Sequence, residues 1–145
     1  RYGADMLVLR ELLSQAWTAA GAPSKTLPRL VGPDNGADDM GVSSLDGILN
    51  GTQLTKASNA LFAATFHDYF DACVDGPNLD SDRVLFNTSC FDRRVDTTCD
   101  KFLPVTKAHN TELWLGEGAL HASSGVDGLT NTFGSSLWYV SAWLV

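Results

Sequence analysis

The chain has 145 residues, of which 44% are hydrophobic and 19% charged, and its formal net charge at pH 7 is -7. The length suits one ordinary domain but falls short of the roughly 250 residues that a complete (β/α)8 barrel needs. The negative charge argues against a nucleic-acid partner, because phosphate binding uses clustered Lys and Arg and the ten such residues here are scattered. We also expect no membrane span in this segment, since no apolar run approaches the roughly 20 residues that a spanning helix requires.

Apolar periodicity and turn residues predict an alternation of helices and strands. In chain order we predict a helix over residues 1–21, a strand over 27–31, a helix capped by Ser43 or Ser44 and ending near Leu49, a strand over 60–67, a helix over 89–109, a strand over 111–116 and a helix from about Leu129. The first strand is expected to end in the turn Gly32-Pro33-Asp34-Asn35-Gly36. Because the chain begins in a predicted helix and ends inside an apolar run, we expect residues 1–145 to be a single fragment of a longer domain.

This order of elements predicts parallel strands joined by helical crossovers. It suits either a segment of a (β/α)8 barrel or an open doubly wound sheet, and the pattern alone does not choose between them. Asp34, His67 and Glu117 each lie at or beyond the end of a predicted strand. We therefore expect them on a common carboxyl-end face, where α/β proteins usually hold their chemistry.

The three cysteines, Cys73, Cys90 and Cys99, form no CxxC pair and no spacing typical of metal ligands. We therefore expect no zinc site. We also expect no other metal and no cofactor. Cys73 is predicted to pair with Cys90 or with Cys99, because the latter two fall in one predicted helix and are not expected to bond to each other. Sequons for N-glycosylation at Asn50 and Asn87 fit a secreted glycoprotein.

The segment Leu113-Trp114-Leu115-Gly116-Glu117 is typical of a short apolar strand that delivers a carboxylate into a Ser/Gly-rich loop, residues 119–125. A carboxylate at the carboxyl end of such a strand lies where α/β folds usually hold their catalytic groups. A Glu at this place also serves simpler purposes, as a cap of the following turn or as the partner of a lysine. The segment alone leaves both interpretations open.

Four segments stand in one order along the chain: Leu30-Val31-Gly32-Pro33-Asp34, Thr65-Phe66-His67-Asp68-Tyr69-Phe70, Trp114-Leu115-Gly116-Glu117 and Leu129-Thr130-Asn131-Thr132-Phe133. Together they resemble glycoside hydrolase family 79, the heparanase and β-glucuronidase family, over nearly the whole chain. The resemblance implies a partial (β/α)8 TIM barrel, roughly strands 5–7 with their flanking helices. It also implies a secreted or membrane-associated glycoprotein, located outside the cell or in the lysosome or vacuole.

The resemblance implies that Glu117 is the catalytic nucleophile of a retaining glycosidase. The acid/base partner is expected upstream of Arg1, because the family holds it in an Asn-Glu pair and this sequence contains no such pair. On this interpretation the fragment alone hydrolyses no glycoside. The resemblance further implies substrate-binding roles for His67, Tyr69 and Asp34.

The loop Ser123-Ser124-Gly125 is similar to the glycine-rich turn whose backbone N–H groups receive the uronic acid carboxylate in this family, and convergent N–H groups do form anion-binding concavities. The implied activity is that of a β-glucuronidase or a heparanase-like endo-β-glucuronidase, acting on oligo- or polysaccharides that contain uronic acid. Vertebrate heparanases place Gln and Arg against sulfated sugar where this chain has Ala37-Asp38-Asp39, so attraction for a sulfate is replaced by repulsion. Two alternatives remain: a non-catalytic, secreted glycan-binding relative of the same fold, and an open α/β ligand-binding domain unrelated to glycosidases.

Overall fold

The computed structural model describes residues 1–37, 40–70, 73, 88–122 and 124–143. Its helices and strands, in chain order, are α1 (Tyr2–Ala19), a short 3-10 helix (Ser24–Thr26), β1 (Leu30–Gly36), α2 (Val42–Gly51), β2 (Gln53–Thr55), β3 (Ser58–Asn59), β4 (Leu61–Tyr69), α3 (Thr88–Ala108), β5 (Glu112–Ala119) and α4 (Phe133–Trp143). The predicted alternation of helices and strands is present in this part of the chain, and β2 and β3 are added to it.

Strands β1, β4 and β5 form a three-stranded sheet within the described residues, and β4 lies between the other two. Both pairs are parallel: Val31 of β1 lies opposite Ala63 of β4, and Ala63 lies opposite Glu112 of β5. The prediction of an α/β fold with parallel strands flanked by helices is therefore confirmed.

The main hydrophobic core lies between one face of this sheet and the helices. Strand β4 contributes Ala64 and Phe66, and the ring centroid of Phe66 lies 6.0 Å from that of Phe102 in α3. Helix α2 and the loop before it contribute fully buried side chains, namely Met40, Leu45 and Leu49. Because successive side chains of a strand point to opposite faces, Thr65 and His67 are left on the face turned away from this core.

The buried carboxylate of Asp68 fixes β4 against α3. It accepts hydrogen bonds from Arg94 Nε at 2.7 Å and from Thr98 Oγ1 at 2.9 Å, and its residue is only 3% exposed. A buried carboxylate is tolerated when it is paired and hydrogen-bonded, and it is costly when it loses its partner. This contact holds residue 68 on the helix side of the sheet, which keeps the neighbouring side chains of His67 and Tyr69 on the other side.

Strand β1 lies later in the chain than predicted. It spans Leu30–Gly36 rather than residues 27–31, so it includes the stretch that we predicted to be a turn. That stretch pairs with β4 as far as the pair Gly36 and His67. Its Gly, Pro and Asn residues favour a turn locally, but the ladder with β4 satisfies backbone groups that a turn would leave to water. The turn prediction was wrong for this reason.

Helix α2 is present as predicted, but its cap is not the predicted one. The helix begins at Val42, and its N-cap is Gly41, with no side-chain hydrogen bond at that end. Ser43 and Ser44 both lie inside the first turn, so neither caps the helix. Glycine is an accepted N-cap residue, and packing of the buried leucines of α2 holds the helix in place.

Three further elements differ from the prediction at one end. Strand β4 continues to Tyr69 and β5 to Ala119, beyond the predicted ends at residues 67 and 116, because the two strands pair with each other as far as these residues. Helix α4 begins at Phe133 rather than near Leu129. The Thr132 hydroxyl donates to the Leu129 carbonyl at 2.7 Å, which closes a turn before the helix.

The sequence did not predict the short antiparallel pair of β2 and β3. Thr52, directly before this pair, is fully buried, and its hydroxyl donates to the carbonyls of Ile48 and Leu49. Thr52 is also the third residue of the sequon at Asn50. Packing therefore accounts for this threonine without glycosylation, while the sequon at Asn87 begins outside the described residues.

Cys73 and Cys90 form a disulfide, with their Cα atoms 5.9 Å apart. This is one of the two pairings that we predicted. Cys99 lies in the same helix as Cys90 and is the remaining, free cysteine. Burial, and then the nearby carboxylates with Asp96 foremost, raise the pKa of the Cys99 thiol, which keeps it in the protonated and poorly reactive form.

Titration of thiols should therefore give one per chain in denatured, unreduced protein and three after reduction. In folded protein at neutral pH the single thiol should react slowly, because the raised pKa of Cys99 leaves little thiolate. A Cys99→Ser variant is the control and should show no thiol before reduction. Three thiols before reduction, in protein exported through an oxidising compartment, would contradict the disulfide.

The contact of α1 with α2 should be sensitive to one methyl group. A Cβ added at Gly3 would lie 2.7 Å from the carbonyl carbon of Gly51, so Gly3→Ala must push the helices apart and should cost about 1–3 kcal/mol of unfolding free energy. Gly47→Ala, in open space on α2, is the matched control and should be stabilising by about 0.5–1 kcal/mol, since alanine favours helix. Urea denaturation measures both, and equal effects would contradict the close helix contact.

Candidate active site

The predicted site residues come together at the carboxyl ends of the three parallel strands. Asp34 lies near the end of β1, His67 and Tyr69 near the end of β4, and Glu117 near the end of β5. His67 lies opposite Glu117 on one side and opposite Gly36 on the other. The expected common face is therefore formed, as parallel strands end at the same edge of a sheet.

Two β-bulges shape this edge. Pro33 lies opposite Thr65 while Asn35 lies opposite Phe66, which leaves Asp34 as an extra residue in β1. Asp34 also has a left-handed backbone, with φ of 64°, a conformation that Asp adopts more readily than most residues. Bulges bend a strand locally and redirect side chains, so this one changes the direction in which the Asp34 carboxylate points.

The second bulge is in β5, on the other side of β4. Phe66 lies opposite Leu115 while His67 lies opposite Glu117, so Gly116 is the extra residue. A Cβ at Gly116 would overlap Oδ1 of Asp34 and would lie 3.3 Å from the Cβ of Thr65. The carboxylate from β1 thus extends across β4 to the backbone of β5, and only glycine leaves room for it there.

The His67 imidazole lies between the two carboxylates. Its Nε2 atom is 3.3 Å from Asp34 Oδ1, and its Nδ1 atom is 3.8 Å from Glu117 Oε2. The imidazole is 23% exposed, whereas both carboxylates are about half exposed. The Nε2 atom is buried. It lies within ion-pair distance of Asp34, but the two groups are not aligned as in a hydrogen bond.

The two oxygens of the Glu117 carboxylate face different side chains. The Tyr69 hydroxyl donates to Oε1, while Oε2 is the atom that faces His67. The rings of His67 and Tyr69 meet edge to face, with centroids 6.3 Å apart, which is a favourable arrangement of aromatic rings. The carboxylate is therefore fixed in orientation and still accessible from solvent, as a nucleophile or an anion-stabilising group must be.

Tyr2 approaches the same edge from α1, although no motif in the sequence indicates this residue. Its hydroxyl lies against Gly32 of β1, where a Cβ would overlap it. Burial, and then the negative charge of Asp34, raise the pKa of the Tyr2 phenol above its ordinary value. Tyr2 therefore keeps its proton throughout the neutral range and adds no charge to the site.

The predicted anion-binding loop is described in part. Ser123 lies outside the described residues, as do Asp38 and Asp39, whereas Ser124 and Gly125 have left-handed backbones with φ of 74° and 83°. The N–H group of Gly125 donates to the Ala122 carbonyl, so this donor is used within the turn. Ser124 and Gly125 line a cleft of about 480 Å³ that continues from the end of β5.

The side of that cleft formed by the loop and α4 carries hydroxyl groups. They belong to Ser124, Thr130, Ser135, Ser136 and Tyr139. A Cβ at Gly125 would overlap the Thr130 hydroxyl, so close packing as well as backbone geometry requires glycine there. The hydroxyls of Thr130, Ser135 and Ser136 donate to backbone carbonyls of the turn and the helix, so in the cleft they serve as hydrogen-bond acceptors.

The chain matches no protein-family model and no curated protein. The described residues contain no group of three or more His, Cys, Asp or Glu side chains that could hold a metal ion. In the same part of the chain, none of the helices has both the length and the apolar character needed to cross a membrane.

Gly116→Ala tests whether the Asp34 carboxylate occupies the space above β5. The added methyl group would overlap Asp34 Oδ1, so the variant should lose about 1–3 kcal/mol of unfolding free energy, as overpacking usually costs. In an Asp34→Ala background the loss should be smaller, because the methyl group then meets the Thr65 side chain alone. Denaturant unfolding of the four proteins completes the double-mutant cycle, and strictly additive losses would place Asp34 elsewhere.

Proposed function

We propose that this chain supplies the nucleophile side of the active site of a retaining glycoside hydrolase. The observation that carries the proposal is the setting of Glu117. Its carboxylate lies at the carboxyl edge of a parallel sheet, with one oxygen hydrogen-bonded by Tyr69 and the other facing His67. The order of the motifs that resemble glycoside hydrolase family 79 gives independent support.

In the proposed reaction Glu117 attacks the anomeric carbon of the sugar while an acid protonates the departing glycosidic oxygen. The resulting glycosyl ester is then hydrolysed by a water molecule, which loses its proton to the same acid/base residue and releases Glu117. The hydrogen bond from Tyr69 keeps the attacking oxygens in place, so that less orientational freedom is lost on the way to the transition state.

We assign the acid/base role to a residue outside these 145 residues. The family resemblance expects it in an Asn-Glu pair, and the sequence contains none. Asp34 is the other carboxylate beside His67, but its Oδ1 is packed over Gly116 and close to the imidazole. That position suits a supporting role better than proton delivery to a leaving group.

We propose further that the sheet belongs to a (β/α)8 barrel, as roughly its strands 5–7 with their helices. Within the described residues β1 and β5 have a partner on one side alone, and the sheet face away from the helices leaves Val31 and Trp114 about half exposed. All-parallel sheets are normally covered on both faces. A closed barrel would pair both edges and bury these two side chains in its interior.

For the substrate we propose oligo- or polysaccharides that contain uronic acid, cleaved by β-glucuronidase or endo-β-glucuronidase activity. The cleft that begins at Gly118, the residue after Glu117, is lined by hydroxyl oxygens that can accept hydrogen bonds from a sugar. The acidic composition, with a net charge of -7, favours weakly sulfated chains over heavily sulfated ones, because a sulfate would meet repulsion. An extracellular, lysosomal or vacuolar location would supply such substrates.

Glu117→Gln in the natural full-length protein should leave folding intact and abolish turnover of an aryl glucuronide, because the amide has nearly the same shape but cannot form the glycosyl ester. Glu112→Gln, at the other end of β5, is the matched control and should keep wild-type activity. A fluorinated glucuronide that accumulates the covalent intermediate should label Glu117, as read by peptide mass spectrometry.

An active Gln variant, or a label on another residue, would refute the nucleophile role. Wild-type protein that binds uronic-acid glycans without turning them over would favour the non-catalytic relative instead.

A further inference from the structure

We propose that Asp34 is a positioning residue, which orients the His67 imidazole toward Glu117 instead of binding substrate itself. The consequence for catalysis rests on the proposed function, whereas the contact between Asp34 and His67 does not. The proposal replaces the substrate-binding role that the family resemblance implied for Asp34.

The first support is a pair of buried polar atoms. Among the described side chains, Thr65 Oγ1 and His67 Nε2 are buried without a hydrogen-bond partner. Such atoms are rare in folded proteins, and each calls for an explanation. The His67 atom lies 3.3 Å from Asp34 Oδ1, and the Thr65 side chain borders the space above Gly116 that the same oxygen fills. The carboxylate of Asp34 is thus the acceptor in reach of an unsatisfied imidazole nitrogen.

The second support is the backbone that brings Asp34 to this place. The β1 bulge gives its side chain a new direction, and its φ of 64° is a conformation that few non-glycine residues adopt. On β5, the bulged residue is Gly116, which has no Cβ. A Cβ at this position would overlap Asp34 Oδ1 and exclude the carboxylate. Three local features therefore serve the position of one carboxylate, and strained backbone of this kind is concentrated at functional sites.

The chemical consequence concerns which nitrogen of His67 carries the proton. A neutral imidazole donates from one ring nitrogen and accepts at the other, and a carboxylate beside one nitrogen selects the tautomer. With the Asp34 carboxylate 3.3 Å from Nε2, its negative charge favours the proton on that nitrogen, and the Nδ1 atom of the neutral ring then faces Glu117 without a proton. When the ring is doubly protonated, each of its N–H groups faces a carboxylate. Asp34 thereby fixes the plane of the ring and the atom that Glu117 meets.

The tautomer is measured by ¹⁵N NMR of histidine side chains in the natural full-length protein, with His67→Gln to assign the signal. At a pH where the ring is neutral, wild type should show Nε2–H, Asp34→Ala should show a mixture of tautomers, and Asp34→Asn, which retains an acceptor oxygen, should restore the preference.

Asp46→Ala is the matched control. Asp46 contacts His109 Nε2 at 2.8 Å, so this variant should change the His109 signal and leave the His67 signal unchanged. Identical His67 signals in wild type and Asp34→Ala would overturn the proposal.

Gly116→Ala keeps the Asp34 carboxylate but displaces it, so it should shift the His67 signal in the same direction. This variant keeps the proposal testable if Asp34→Ala does not fold. An unchanged His67 signal in folded Gly116→Ala would contradict the proposed geometry.

The kinetic measurement separates positioning from substrate binding. Asp34→Ala should lower kcat about 10–100-fold, the range by which loss of the carboxylate behind a metal-bound histidine lowers activity, with KM changed by no more than about twofold. The loss should be the same for aryl glucuronides with good and poor leaving groups, because the acid is a different residue. A raised KM with unchanged kcat, or a loss confined to poor leaving groups, would overturn the positioning role.

Wild-type protein without any turnover would refute the proposed function. The tautomer measurement would still show whether Asp34 orients the His67 imidazole.

Discussion

The candidate site depends on the alternation of side chains along β4. Phe66 and Asp68 face the helices, where Phe66 packs against Phe102 and Asp68 is hydrogen-bonded by Arg94 and Thr98. His67 and Tyr69 must then face the other way. A shift of one residue would bring His67 into the apolar core. It would also take the Asp68 carboxylate away from the partly buried Arg94 and the buried Thr98, because successive side chains of a strand point to opposite faces. The ion pair of Asp68 with Arg94, on the helix side of the sheet, therefore determines that His67 and Tyr69 face the candidate site.

Strands β1 and β5, on either side of β4, supply the two carboxylates of the candidate site. A regular parallel sheet would carry Asp34 and Glu117 on separate strands with β4 between them, and their side chains would stand roughly perpendicular to the sheet. The bulges in β1 and β5 break this regularity on both sides of the same stretch of β4. The result is a row of groups, Asp34, His67, Glu117 and Tyr69, in which each lies against the next. The two bulges, at Asp34 and Gly116, therefore allow these four side chains to contact one another.

The sequence predicted the elements better than their ends, and it predicted which residues meet better than how they meet. Strand-terminal Asp34, His67 and Glu117 could be placed on one edge because parallel strands end together, a rule that needs no atomic detail. The stretch Gly32–Gly36 has the composition of a turn, and its pairing with β4 is a long-range contact that local signals do not contain. The bulges at Asp34 and Gly116 arise from strand register, which is a property of two strands. The contact of Tyr2 with Gly32 needed the docking of α1 for the same reason.

The disulfide covalently joins two parts of the chain that both contribute residues to the candidate site. Cys73 follows β4 and Cys90 lies near the start of α3, so the bond joins the part that carries Asp34, His67 and Tyr69 to the part that carries Glu117. A protease that cleaves any peptide bond between these cysteines would produce two polypeptides that remain covalently joined. The nicked molecule would keep both contributors to the site on one covalent entity, and it would separate into two bands on an electrophoresis gel only after reduction.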